Sequence, residues 1–458
     1  MGHGSTAHGR FKSLVLCAGL LACWGVPGLL AQEPSRRGLT LDQVVHAALE
    51  QSPLVAASEA RVRSARGARL TARSLPNPVL TYQVENAAFP GQNAPAGLTR
   101  ETSLFATLPL EPLWQRWPRL RSAGEDLRAA EADLTLARRA VALDAARAFF
   151  RVALAQIAVR AAADIEAGLD SLVRFNRARV GEGVAAEGDL IRIEVELDRA
   201  STDRALQEVE LVRARSTLAP FLGDADRMVA LTASLAVAAD DSAPAALAEG
   251  LRPADEFISR ALALRPDLAA ARARARSAGA EVAFQRTLVL RQVGAFFGAR
   301  STGGVRSMIA GLSLPVPLFD QNRGEVQRAT GERIATEREV AWAERLVVAE
   351  VAGAYEAARV LTAQAGRLQR GFLSRAEEAR RIAVTAYQEG AAPLLQVIDA
   401  TRTLADSRLT YYRALFARQE SLLDLYAAAG LDPVAAAAAS AAPGAPSSPA
   451  ALPMEARP

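Results

Sequence analysis

Four short stretches of the chain alternate apolar and polar residues with a period of two. The long stretches that follow them repeat apolar residues every three or four positions. In "VLTYQVEN", Leu80, Tyr82 and Val84 alternate with Thr81, Gln83 and Glu85. In "ETSLFATLPL", Leu104, Ala106, Leu108 and Leu110 alternate with Glu101, Ser103 and Thr107, and Phe105 is out of phase. In "RQVGAFFGAR", Val293, Ala295, Phe297 and Ala299 alternate with Gln292, Gly294, Gly298 and Arg300, and Phe296 is out of phase. In "RSMIAGLSL", Met308, Ala310, Leu312 and Leu314 alternate with Ser307, Gly311 and Ser313, and Ile309 is out of phase. A period of two predicts strands with one apolar face. Each run is about 9–11 residues, enough to cross a bilayer at a tilt. A half-buried soluble sheet carries the same period.

Two further features favour lipid. The turns "FPGQNAPAG" and "STGG" are polar and glycine-rich, as loops facing outside water would be. Trp114, Trp117 and Phe319 stand just past the strand ends, where a membrane aromatic girdle belongs, with ordinary packing as the alternative for the tryptophans.

The helical stretches are long. No proline occurs from Arg119 to Ala219, nor from Leu318 to Ala392. Proline inside a helix costs about 3 kcal/mol, so spans without it read as helix. The run from Arg119 to Val180, about 60 residues, would reach about 90 Å. Its apolar residues, such as Leu127, Leu134, Val141, Phe149 and Leu154, form a stripe too narrow to stand alone. Such a helix needs neighbours along its length.

The pattern occurs twice. "ALEQSPLVAASEARVRSA" and "ALALRPDLAAARARARSA" match at ten of eighteen positions, 213 residues apart. The corners "ATLPLEPLWQRWPR" and "LSLPVPLFDQNRG" recur at an offset of 206, and the turns at Gly183 and Gly390 at 207. The chain therefore reads as one unit of about 210 residues, duplicated. Each unit opens with a helix, expected over roughly Thr40 to Ser74 and Pro253 to Arg286, with Thr40 as an N-cap. The expected organisation is a signal peptide at 1–31, a first repeat at 32–218, a connector at 219–252 and a second repeat at 253–430. The strands are expected near 79–88, 99–110, 289–300 and 305–314. A low-complexity Ala/Pro/Ser tail at 431–458 is expected to be disordered.

Four strands cannot close a membrane barrel, which starts at about 8. An open edge in hydrocarbon leaves unpaired backbone groups, each costing several kcal/mol. If these strands lie in lipid, chains must pool them: a dimer gives eight, a trimer twelve. The prolines then mark where the chain leaves the ladder and enters a helix whose first N–H groups lack partners anyway.

Composition narrows the function. The chain has 458 residues, 50% hydrophobic but only 5% aromatic, which argues against a large conventional core. The net charge of +4 is spread along helices that also carry many acids, so no nucleic-acid partner is expected. The only lysine is Lys12. Cys17 and Cys23 both lie within "FKSLVLCAGLLACWGVPGLLA", which reads as a secretory signal cleaved after Ala31. The alternative is a lipoprotein signal with Cys23 acylated, for which Leu21 is a poor fit. No later run reaches about 18 uninterrupted apolar residues, so no transmembrane helix is expected after processing. His46 is the only histidine beyond the signal. There is no nucleophile elbow, P-loop or CxxC pair, so no enzyme, cofactor or metal site is expected. A periplasmic coiled-coil scaffold or pump adaptor is the rival reading, but an adaptor needs flanking β-rich lipoyl-like modules.

The segments "LPNPVLTYQVEN", "LSLPVPLFDQNRGEV", "ARVGEGVAAEGDLIRIEVELDRA" and "AYQEGAAPLLQVIDATRTL" resemble the hallmarks of the outer-membrane efflux family typified by TolC. The Leu-Pro-Asn-Pro stretch and the proline corners look most like its CzcC-like heavy-metal branch. The resemblance covers roughly residues 38 to 430. It implies an α+β membrane protein whose three copies form a twelve-stranded outer-membrane barrel, continued by a periplasmic α-helical barrel. It also implies a periplasmic adaptor and an inner-membrane pump, of the RND type by that branch, as partners. The family's tip turns carry a glycine and, six residues later, an aspartate; Gly183 and Asp189 match. In the second turn Gly390 is followed at that spacing by Gln396. The resemblance assigns adaptor docking to the tip at Gly183, Asp189, Leu190, Gly390, Leu394 and Leu395. It assigns a pore constriction to Asp399 with Gln396. An arginine that latches the prototype's closed state would fall at Ala392 and is absent.

Overall fold

The computed structural model describes residues 38–88, 97–223 and 251–432. The expected signal peptide, Cys23, most of the connector, nearly all of the tail and most of the first strand loop lie outside the described residues.

The first unit opens with α1 (Leu41–Gln51) and α2 (Pro53–Arg73). Thr40 caps α1 in a reciprocal capping box with Gln43. One helix was expected here, and two are found. Pro53 has no N–H to continue α1, and Ser52 caps the next helix by accepting from the Val55 amide. Strands β1 (Val79–Glu85) and β2 (Glu101–Pro109) follow. Then comes α3 (Pro112–Gly181), a single 70-residue helix about 105 Å long at ~1.5 Å per residue. It starts at Pro112 rather than at Arg119, and Pro118 is tolerated near its N-terminus. After a tight turn, α4 (Glu187–Leu218) returns along it and ends in a short 3₁₀ turn, Ala219–Phe221.

The second unit repeats the order. α5 (Ala254–Leu264) and α6 (Pro266–Thr287) are again split at a proline. β3 (Gly294–Thr302) and β4 (Val305–Ser313) are joined by Gly303-Gly304, both at positive φ, as a two-residue hairpin requires. The long helix of this unit is interrupted: α7 (Arg323–Gln369) stops, and α8 (Phe372–Gln388) restarts after Gly371 at φ +104°. α9 (Leu394–Ala428) returns from the second tip. The two proline corners differ as well. Pro112 enters α3 directly, whereas Leu314–Gln321 run without regular structure before Asn322, the residue ahead of α7.

The helices bury alanine as much as large side chains. Val44, Ala48 and Val55 pack against Val141, Ala145, Phe149 and Val152 of α3. The equivalent cluster in the second unit places Phe257 and Ala261 against Val347, Val351 and Ala358 of α7 and Leu422 and Leu425 of α9. Small residues at these contacts let helix axes approach closely, which suits elongated layers better than a thick core.

The four strands form one antiparallel sheet in the order β1-β2-β3-β4. The register pairs Tyr82 with Leu104, Leu104 with Ala299, and Ala299 with Met308. β1 and β4 are outer strands, each with one unpaired edge among the described residues.

Candidate functional site

The sheet has two chemically distinct faces. Leu80, Tyr82, Leu104, Leu108, Phe297, Met308 and Leu312 share one face, and all are exposed in the single chain. Met308 and Leu312 reach 73% and 74% exposure. A contiguous apolar face of this size on a chain in water would be a liability. Gln83, Ser103, Arg300 and Ser307 form one row of the opposite face, and Arg300 pairs with Glu101 at 3.6 Å beside it. Phe105, Phe296 and Ile309, the residues out of phase in the sequence, lie on this second face. Phe105 and Phe296 contact each other with ring centroids 5.9 Å apart.

The strand bounds follow the ladder rather than the hydrophobic run. The third strand was expected over 289–300 but occupies Gly294–Thr302, because Leu288–Gln292 close the end of α6 instead. Arg291 and Asn322 are tied together there. Arg291 donates to Asp320 at 3.1 Å and to the Asn322 side chain at 3.2 Å. Asn322, buried and at φ +60°, donates to the Gln285 carbonyl at 2.7 Å. This node fixes where α7 leaves the sheet. Nothing in the sequence marked it beyond an asparagine ahead of a helix.

The expected interface aromatics separate into two kinds. Trp114 is half-buried and donates from Nε1 to the Leu290 carbonyl at 3.2 Å, so it braces α3 against the approach to β3. Trp117 is exposed, and Phe319 is 99% exposed.

At the other end of the helices the two tips are built alike. Val184 N–H bonds the Arg179 carbonyl and Gly183 N–H bonds Val180; Ala391 bonds Ala386 and Gly390 bonds Tyr387. These are paired Schellman closures, with Gly183 at φ +74° and Gly390 at φ +76°. Asp189 sits in the first turn of α4, where the helix dipole favours a negative charge. The first turn of α9, which holds Gln396, has no acid.

Below the turns a core joins both hairpins. Leu172, Val173, Ile193, Ala383, Tyr387, Leu394, Val397 and Ile398 are buried together, with Leu190 packed at the margin. Leu394, expected among the docking residues, is only 5% exposed and so holds the tip together; its neighbour Leu395 is 68% exposed. Asn176 is fully buried, donating to the Leu172 carbonyl at 3.0 Å and accepting the Tyr387 hydroxyl. Burial pushes the Tyr387 hydroxyl above its ordinary pKa, against the pull of the Arg179 guanidinium over its ring. This cross-hairpin pair was not legible in the sequence, since its partners lie 211 residues apart. Gln396 and Asp399 both lie exposed on α9, and Asp399 has no ion-pair partner among the described residues. One helical step on, Arg402 makes a two-pronged ion pair with Glu196 of α4.

Among the described residues the helical edges are unpartnered. α4 packs along α3 and leaves Ile191, Val195, Leu206, Val209 and Val212 exposed. α7 leaves Ile334, Trp342 and Leu346 exposed, and α8 leaves Ile382. Among the described residues no helix is long and apolar enough to cross a membrane. No group of His, Cys, Asp and Glu there could hold a metal ion.

Comparison with known proteins agrees with this geometry. The family described as outer membrane efflux protein matches residues 44–224 and 257–431. The cobalt-zinc-cadmium resistance protein CzcC of Cupriavidus metallidurans is 28% identical over 383 residues, covering 82% of this chain and 86% of that protein. The nickel and cobalt resistance protein CnrC of the same organism is 27% identical over 330 residues, covering 69% and 71%. Among solved structures, the outer-membrane channel OprN superposes with a TM-score of 0.70 at 20% identity, covering 86% of this chain and 90% of that one. CusC gives 0.69 at 19% identity, covering 85% and 92%. At these identities the structural likeness concerns the fold.

Proposed function

The chain belongs to the outer membrane efflux protein family, and we propose that three copies of it close one continuous export duct. The family consists of outer-membrane export channels, so the chain is an outer-membrane efflux duct that reaches into the periplasm. The observation that carries the threefold reading is the open sheet. Its order makes β1 and β4 antiparallel, so β4 of one copy can pair with β1 of the next around a ring. Eight strands about 4.8 Å apart and tilted about 40° would enclose about 16 Å between backbones, which side chains fill. Twelve enclose about 24 Å and leave a water-filled bore. The exposed apolar edges of α4, α7 and α8 would be covered by the same ring.

The membrane strands and long hairpins have separate tasks. The sheet's apolar face meets lipid, with Trp117 and Phe319 at the interface. The tips, with Gly183, Asp189, Leu190 and Gly390 shaping them and Leu395 exposed, dock a periplasmic adaptor that links the duct to an inner-membrane pump, of the RND type in the reading from resemblance. Three Asp399 carboxylates, with Gln396 one turn away, narrow the closed mouth and favour cations there. The relatives named for cobalt, zinc, cadmium and nickel resistance support divalent metal cations as cargo. The duct itself transports passively.

Unheated gel electrophoresis of the outer-membrane fraction tests the assembly. A heat-labile trimer is expected; a water-soluble single subunit would overturn it. In planar bilayers, Asp399→Ala should raise conductance, and an unchanged conductance would remove the proposed mouth. Deleting the chain in its host should lower tolerance to divalent metals, and unaltered tolerance would remove the proposed cargo.

A further inference from the structure

The polar face of the sheet is not uniform. Toward the hairpin end it carries Glu85, Glu101 and Arg300. Toward the helices it carries Phe105 and Phe296, two aromatic rings in contact, with Ile309 in the same row across Gly298 from Phe105. Across one strand from Phe296 is Gly311. A Cβ at Gly311 would lie 2.4 Å from Cζ and 2.8 Å from Cε1 of the Phe296 ring. The ring therefore occupies the space a side chain at 311 would take, an arrangement in which an aromatic covers a cross-strand glycine.

We propose that Phe105 and Phe296 form an aromatic belt on the inner wall of the membrane pore, and that Gly311 sets its width by parking the Phe296 ring against the wall. The belt rests on the pore reading above. Three copies contribute six rings to adjacent rows of one bore. With a side-chain layer about 5 Å deep on each wall, half the ~10 Å spacing of packed sheets, a bore of about 24 Å narrows to about 14 Å. Rings reach further than the average side chain, so the belt is where a bulky solute is slowed while hydrated ions pass. The terminal ring atoms, not backbone, meet the added Cβ, so Phe296 yields by swinging toward the lumen. Gly298 is different: its Cβ would meet the Leu104 carbonyl oxygen at 2.2 Å and the Phe105 Cα at 2.5 Å, and that backbone cannot move without breaking the ladder.

Thiol accessibility in intact cells tests this with the full chain. Ser307→Cys lies on the inner face beyond the belt, toward the hairpin end; Ser313→Cys lies on the same face on the helix side of it. Each is exposed to a small cationic methanethiosulfonate and to a polymer-bearing maleimide too large for ordinary porins, with the parent chain as blank. The small reagent should label both positions in every background. Gly311→Ala should slow the bulky reagent several-fold at Ser313→Cys but not at Ser307→Cys, and adding Phe296→Ala should restore or exceed the parent rate. Equal bulky labelling of Ser313→Cys with and without Gly311→Ala overturns the belt, and so does failure of Phe296→Ala to restore it. If neither reagent reaches Ser307→Cys, the pore reading itself fails, a separate result.

Discussion

Replacing Phe297 by arginine separates a membrane sheet from a soluble one. Phe297 is 62% exposed in the single chain and is the fourth of the nine residues of β3. At about 3.3 Å per residue and about 40° of tilt, nine residues rise about 23 Å, close to the ~25 Å apolar band of outer-membrane barrels. Phe297 is one residue from the middle of that rise. If its face met water, Phe297→Arg would change stability by within about 0.5 kcal/mol. In hydrocarbon near the midplane, arginine costs about 2–4 kcal/mol per copy, or about 6–12 kcal/mol for three. Urea unfolding of the protein in lipid vesicles, read with the heat-lability of the trimer on gels, measures the difference. Ser307→Arg, on the other face of the neighbouring strand, is the control and should leave the trimer intact. A Phe297→Arg protein as stable as the Ser307→Arg protein would refute the assignment of that face to lipid.

Other expectations follow from the tips and the helix junctions. Tyr387→Phe leaves the buried Asn176 oxygen without its hydroxyl donor, which should cost about 1–3 kcal/mol of thermal stability; a small loss would mean water replaces it. Leu394→Ala should cost about 2–5 kcal/mol through a cavity, whereas Leu395→Ala should leave stability unchanged and weaken co-purification of the adaptor. Gly183→Ala and Gly390→Ala place a Cβ on left-handed backbone and should each cost about 1–2 kcal/mol, read as earlier proteolysis at the tip. Asp267 is pulled in two directions: burial opposes its charge, but Arg265 at 2.6 Å and the Leu268 amide outweigh it and hold the carboxyl below its ordinary pKa. Its contribution is therefore fully present above the unfolded value of about 3.9 and is lost as pH falls through the lower folded value. Urea midpoints should drop on acidification in the parent and drop less in Asp267→Asn.

The period-two runs and the proline-free spans made the strands and long helices legible. Both signals are local, because a pleated strand and a helix repeat their own geometry. The splits at Pro53 and Pro266 are written in the same letters, a residue without an N–H at each helix start, although the helices expected from the sequence run through both. The break at Gly371 was harder, since a glycine inside a helix is tolerated and only its φ of +104° marks the end of α7. At the site, Gly183 and Gly390 were recognisable from the duplicated turns, but Leu394 and Leu395 were not distinguishable. Adjacent helical residues point about 100° apart, and only the partner helices decide which one is buried.

Sequence alone determined the period of each element, the duplication and the shortage of strands, because those depend on residue order along one chain. Only the tertiary structure decided which residues face each other: Phe296 over Gly311, Tyr387 on Asn176, Asn322 on Gln285. These contacts join residues 15, 211 and 37 positions apart. A contact across strands or hairpins is set by register and helix packing. Its energy comes from fit between surfaces that no local pattern encodes.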